Sequence, residues 1–292
     1  MPPPSALPAR LAVAHVAGSA SGGPLDRSLR VTLNFHPDRL VGGATVLERL
    51  SRDGRYRSQF ETGTSNGGLT AHPGGARWGW EQRMFGHAYD DAPAAERPKY
   101  GALNHRRRRI GGALRFGSAQ LRLTGAVLDR TTFCFPDSVF EPTAMATADR
   151  FGLFPLVERF AARPLTDEIE ATDGGLLDDY VEAHVHGPID LASDVEAVVL
   201  DPCFRGSPTE FQARALGLPL EWHEGRRLTV EKLARHPRFR GPRTVEVGRS
   251  IAVDGVLDAA VIGQAARAGQ GDPQDLKRVW HCVARFGSPL EV

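Results

Sequence analysis

The sequence predicts an α+β fold, and three observations predict it. Short runs with period-two alternation recur through the middle of the chain, helical patterns of period 3.6 gather toward its two ends, and glycine or proline punctuates most joins. The N-terminal residues 6–19 are small and helical in pattern, and SASGGP then breaks them. LRVTLNF (29–35) alternates Leu29, Val31, Leu33 and Phe35 on one face, and Pro37 ends the strand, so His36 falls at its tip. VGGATVLERLSRDG (41–54) has helical spacing and a glycine stop. The following segment, from Tyr56 to Asp91, is too rich in glycine and small polar residues for regular structure over most of its length, and its interleaved aromatics predict an ordered functional loop.

Further on, FGSAQLRLTGAVL and TTFCFP read as strands, and 148–162 as helical. YVEAHVHGPIDL (180–191) and VEAVVLDP (195–202) read as a strand pair joined by a short polar connection. TEFQARALGL reads as a helix, and the tail carries two more, VLDAAVIGQAARAG and DPQDLKRVWHCVARFG, each closed by glycine. These elements divide the chain into an N-terminal helical segment (1–28), a catalytic domain (29–240) and a C-terminal helical extension (241–292).

Composition narrows the function. Of 292 residues, 41% are hydrophobic and 24% charged, as in globular proteins. Thirty-six Lys and Arg nearly balance 35 Asp and Glu, so no wide basic field is available for nucleic acid or an anionic membrane, and anion binding must be local. The run Arg106–Arg109 accordingly reads as a solvated loop. Cys134, Cys203 and Cys282 are too few and too scattered for a disulfide framework, which fits a reducing, cytoplasmic setting. Neither a signal peptide nor a membrane-spanning run is expected.

Three groups of residues carry candidate chemistry. Glu182, His184 and His186 share one face of a strand opposite Val181, Ala183 and Val185, so the row is either a solvated sheet face or an active-site wall. As a wall it supports two chemistries: a metal half-site, or a glutamate that stabilises positive charge on a ribose carbon. Arg39, Arg57, Arg97 and Arg115 each stand beside a turn residue, and their forked donors suit a pyrophosphate. Tyr100, followed by Gly101 and Ala102, could stack on a flat heterocycle, and TSNGGLT (64–70) could form a small anion nest.

In chain order, LNFHPDR (33–39), RPKYGALN (97–104) and YVEAHVHGPIDLASDVEAVVLDP (180–202) resemble the histidine, tyrosine and glutamate segments of the ADP-ribosyltransferase superfamily, in its His-Tyr-Glu class. YRSQFETGTSNGG, VHGPI and VLDP also resemble a bacterial family of about this length, which would not itself supply an activity. The superfamily resemblance implies a split β-sheet core with peripheral helices, NAD as substrate, and cleavage of the nicotinamide–ribose bond. ADP-ribose would pass to a protein, nucleic acid, small molecule or water, as in a toxin or effector. It assigns His36 to the adenosine-side ribose, Tyr100 to the nicotinamide ring and Glu182 to catalysis at the nicotinamide ribose, with Arg39, Arg57, Ser58, Arg97, Arg115 and His184 as further NAD-binding positions. The sequence departs from the family at Pro37, where glycine is usual, and at Tyr180, where arginine-modifying relatives carry an acid. Two other readings stand beside this one: a metal-dependent hydrolase using Glu182 or Asp201 with His184 and His186, and a protein that binds a nucleotide without turnover.

Overall fold

In a computed structural model, residues 7–63, 70–164 and 177–290 are described. The protein is a mixed α+β structure built on one eight-stranded sheet. Its strands are β1 (Val31–Phe35), β2 (Lys99–Leu103), β3 (Ala119–Leu123), β4 (Thr131–Cys134), β5 (Met145–Thr147), β6 (Val181–Val185), β7 (Val195–Leu200) and β8 (Leu220–Trp222). They lie side by side in the order β8-β7-β3-β1-β2-β6-β4-β5, and every neighbouring pair is antiparallel except β7 with β8.

This order corrects the sequence reading at one point. β6 and β7 are consecutive in the chain but do not pair, since β2, β1 and β3 stand between them. The short link after β6 instead pairs Ile189 with Tyr56 and Asp190 with Arg55, tying that link to the segment after the helix of residues 46–53. Alternating hydrophobicity reports a buried face but does not say which strand lies alongside.

The helices include α1 (Leu7–Ser19), α2 (Val46–Asp53), α3 (Gln59–Thr62), α4 (Ala76–Met84), α5 (Phe154–Ala161), α6 (Pro208–Arg214), α7 (Pro242–Ile251), α8 (Ala259–Arg267) and α9 (Pro273–Phe286), with two short ones at Leu191–Asp194 and Val230–Ala234. Capping sets several of their ends. Thr45 with Glu48, and Ser58 with Glu61, form reciprocal capping boxes, and Gly54 and Gly63 close those helices in the left-handed region. Helix α4 falls inside the segment expected to be irregular. Its inward residues are Arg77, Trp80 and Glu81, so it carries no apolar stripe to announce it. The proposed nest at 64–70 lies, apart from Thr70, outside the described residues.

One face of the sheet packs a core of Leu33, Leu103, Leu121, Phe133, Val181 and Val198. The opposite face is also covered. Toward β6 and β4 it meets Trp80, Phe85 and Tyr89, and the C-terminal helices build a separate core around Trp280, Val283 and Ile262. The C-terminal segment is docked firmly against the tip of β1. Trp280 donates to the Leu114 carbonyl at 3.1 Å and meets the His36 ring edge-on, with centroids 5.1 Å apart. Arg267 pairs with Asp38 in the same turn, and a Cβ at Gly263 would lie 1.8 Å from the Asp38 carboxylate, so a larger residue there would have to push that carboxylate aside.

Because Trp280 is fully buried and hydrogen-bonded, Trp280→Ala is expected to destabilise the fold by about 3–5 kcal/mol. Urea denaturation at neutral pH measures this, and an unchanged midpoint would show that the C-terminal helices contribute little to stability.

Candidate active site

The site is set by strand register. Val181, Ala183 and Val185 turn into the main core, so Glu182 and His184, followed by His186, turn to the other face. That face is largely closed to solvent: Glu182 is 5% exposed and both histidines are fully buried. Tyr100 lies across from His184 and Ala102 from Glu182 on β2, while Thr132 and Cys134 hold the corresponding places on β4.

A carboxylate this buried is costly to ionise unless donors surround it. Burial pushes the Glu182 pKa up, but the His184 hydrogen bond and the Arg77 charge outweigh it and hold the carboxyl below its usual range. His184 Nε2 is 3.0 Å from Glu182 Oε1, and Arg77 Nη1 is 3.9 Å from the same oxygen. Arg77 also donates to Ser138 Oγ at 2.7 Å, and its guanidinium lies 4.0 Å from the centroid of the Tyr100 ring. The Tyr100 hydroxyl donates to Glu81 at 2.7 Å. Tyr100 therefore does not stand clear of its neighbours as its small flanking residues predict, because Arg77 covers its ring and Trp80 and His184 border it.

A cleft of about 290 Å³ opens above this group. His36, Tyr100 and Glu182, from the ends or middles of the adjacent strands β1, β2 and β6, line it together with Arg39, Arg57 and Arg115. Its lining holds eight cationic side chains, including Arg49, Arg55, Arg77, Lys99 and Lys277, against the three carboxylates Asp53, Asp137 and Glu182. The nearly neutral chain thus concentrates positive charge in one concavity, which favours an anionic ligand. Arg57 also pairs with Asp53 at 2.7 Å, and Arg115 with Asp178. Burial and the nearby Arg39 lower the His36 pKa to about 4, so its ring is neutral at pH 7.

Three of the expected binding residues lie elsewhere. Ser58 caps α3 and donates to the Ala94 carbonyl at 2.7 Å. Arg97 is buried between Phe60 and Trp78, where it pairs with Glu81 at 2.6 Å. His184 lies behind Glu182 rather than in the cleft wall. The reading of arginines beside turns did not separate those facing a cleft from one sealed in the core.

Sequence reasoning also missed Arg77, Asp137 and Ser138. Arg77 had a usable signal: with Trp80 and Glu81 it recurs at i, i+3 and i+4, one helical face. Asp137, also in the cleft, accepts from Tyr180 Oη and from Val139 N at 2.8 Å. Burial and the Glu182 charge raise its pKa, so Asp137 and Glu182 are pushed in opposite directions. Such divergence is the usual basis for dividing acid–base and electrostatic roles.

The metal grouping differs from the one expected. Cys134, Glu182 and His184 offer ligand atoms within 4.8 Å of one another, whereas His186 and Asp201 do not join them. Asp201 instead lies 4.0 Å from His223 and accepts from Cys203 N. Arg77 already brings a positive charge to Glu182, and burial pushes the Cys134 thiol pKa well up, so the set is poorly matched to a cation.

A family profile described as "Protein of unknown function (DUF3626)" matches residues 30–156 and 152–286, and the chain belongs to that family. No curated protein matches the sequence. Among the described residues, no helix is long and apolar enough to cross a membrane.

Beside the cleft, His281 is buried and neither ring nitrogen has a hydrogen-bond partner among the described residues. Burial, reinforced by Arg240, Arg115 and Lys277, lowers its pKa to about 2. A histidine neutral in the fold but protonated when unfolded makes the unfolded state bind more protons, so stability falls as pH drops below about 6.5. His281 alone should remove about 2 kcal/mol between pH 7 and pH 5. His281→Leu is expected to flatten the acid limb of a stability–pH profile by about one proton, and an unchanged slope would show that the ring is protonated in the fold.

Proposed function

We propose that this protein is an NAD-dependent ADP-ribosyltransferase whose reaction takes place over Glu182. The observation that carries the reading is convergence: His36, Tyr100 and Glu182, far apart in sequence, line one strongly cationic cleft from three adjacent strands. Support also comes from the ionised state of Glu182, since a carboxylate beneath a ribose stabilises the oxocarbenium-like charge that develops as nicotinamide leaves. The mixed sheet with helices on its periphery is compatible with the split-sheet core that the resemblance implies.

In this reading the arginines hold the pyrophosphate, neutral His36 bonds the adenosine-side ribose, and Tyr100 together with Arg77 bounds the nicotinamide ring. The glycosidic C–N bond breaks and its electron pair leaves with nicotinamide. The acceptor then bonds to the anomeric carbon, and its proton passes to Asp137, whose pKa is shifted toward that of a base. Water as acceptor makes the same site an NAD glycohydrolase. The three cysteines, all unpaired, are compatible with action in the cytoplasm.

Two measurements test this. Glu182→Gln keeps the shape of the side chain but removes its charge, so nicotinamide release from NAD is expected to fall about a hundredfold or more with thermal stability retained. Release at the wild-type rate would remove Glu182 from the chemistry. Tyr100→Ala is expected to weaken NAD binding in titration calorimetry by about 1 kcal/mol. Unchanged affinity in both Tyr100→Ala and His36→Ala would defeat the placement of the dinucleotide, and NAD binding without nicotinamide release would favour a non-catalytic nucleotide binder. Full turnover in excess EDTA is expected, whereas loss of activity together with one tightly held metal would favour the hydrolase.

A further inference from the structure

Behind Glu182 lies a row of polar groups that the proposed reaction does not use. We propose that Tyr89, His186, Thr132 and His184 form a single directed hydrogen-bond chain that fixes the charge and aim of Glu182, which makes Tyr89 and Thr132 positioning residues of the site. Its links are short and continuous: Tyr89 Oη to His186 Nδ1, 2.7 Å; His186 Nε2 to Thr132 Oγ1, 2.9 Å; Thr132 Oγ1 to His184 Nδ1, 3.1 Å; His184 Nε2 to Glu182 Oε1, 3.0 Å. None of the four residues is more than 2% exposed.

Proton counting gives the chain its direction. An ionised carboxylate can only accept, so His184 carries its proton on Nε2. Burial opposes a second proton on that ring, which leaves Nδ1 as an acceptor. Thr132 has one hydroxyl hydrogen and must give it to His184. His186 must then bring its own proton to Thr132 from Nε2, and its bare Nδ1 takes the Tyr89 proton. One negative charge thus settles four donor–acceptor choices, and reversing any link leaves two hydrogens or two lone pairs facing each other.

Aromatic packing keeps the rings in place. The His186 and Tyr89 rings are parallel to within 8°, the edge of Phe85 meets both histidines, and Trp80 lies 5.0 Å from His184. Apolar side chains could fill such a space without any polar groups to satisfy, so structural packing alone does not call for this row. What the row adds is a permanent donor behind the carboxylate. Since the chain ends at buried Tyr89 rather than at solvent, it conducts no proton away, and Glu182 acts through its charge rather than as a base.

The catalytic arm of the test rests on the NAD reading, and the spectroscopic arm does not. Nitrogen-15 NMR of the full chain at neutral pH, without NAD, is expected to show His184 and His186 neutral and protonated on Nε2. Either ring protonated on Nδ1, or on both nitrogens, would overturn the chain. Thr132→Val is expected to leave His184 protonated on Nε2 but His186, cut off from Glu182, as a mixture of tautomers, and to lower kcat for nicotinamide release about tenfold to a hundredfold, with KM for NAD within about twofold. Thr132→Ser is expected to restore both. A Thr132→Val protein with wild-type kcat and a wholly Nε2-protonated His186 would refute the positioning role. If Thr132→Val does not fold, the wild-type tautomers and the matching of Thr132→Ser to wild type decide the question. A wild-type protein that releases no nicotinamide defeats the transferase reading and leaves the tautomer result to judge the chain.

Discussion

The arrangement of this protein turns on a negative charge held almost wholly out of solvent. Glu182 sits on an interior strand with a packed core beneath it and an aromatic layer above, a place where a lone carboxylate would take up a proton instead. What keeps it charged is a hydrogen bond and a nearby cation at the same oxygen, His184 from its own strand and Arg77 from a helix that packs across the sheet. The placement of α4, the burial of Glu81 and the capture of the Tyr100 hydroxyl all follow from seating Arg77 there, since Glu81 in turn balances Arg97 and accepts from Tyr100. The polar interior is therefore one connected set of charges rather than a collection of separate ion pairs.

Much of this was legible in the sequence, and the reasons it was or was not are physical. The alternation of Glu182 and His184 with Val181, Ala183 and Val185 marks two faces of a strand, and the structure has those faces. The tip position of His36 follows from Pro37, which cannot extend a ladder. Pairing partners were not legible, since β6 and β7 look like a hairpin by spacing yet lie on opposite sides of β1 and β2. Nor was α4, whose buried face is made of charge and indole rather than aliphatic side chains.

The arginines illustrate the same limit. Arg39, Arg57, Arg97 and Arg115 look alike in sequence, each next to a turn residue, but Arg97 is clamped between two aromatic rings with its charge spent on Glu81. Whether a cation faces a ligand or a buried acid depends on residues distant in the chain. Arg77, the cation nearest Glu182, carried only the weak signal of a shared helical face with Trp80 and Glu81.

The seating of the HPDR turn on α8 and α9 bears on how the molecule comes into being. The three strands that bring His36, Tyr100 and Glu182 together are complete once β6 has been synthesised, but the His36 ring has its neighbour Trp280 only after the last long helix emerges. Asp38 likewise waits for the socket beside Gly263. A growing chain on the ribosome therefore passes through a stage in which the sheet can form while one end of its cleft has nothing to rest against. The Arg267–Asp38 contact joins residues 229 apart, so this end of the pocket gains its support only when nearly the whole chain is available.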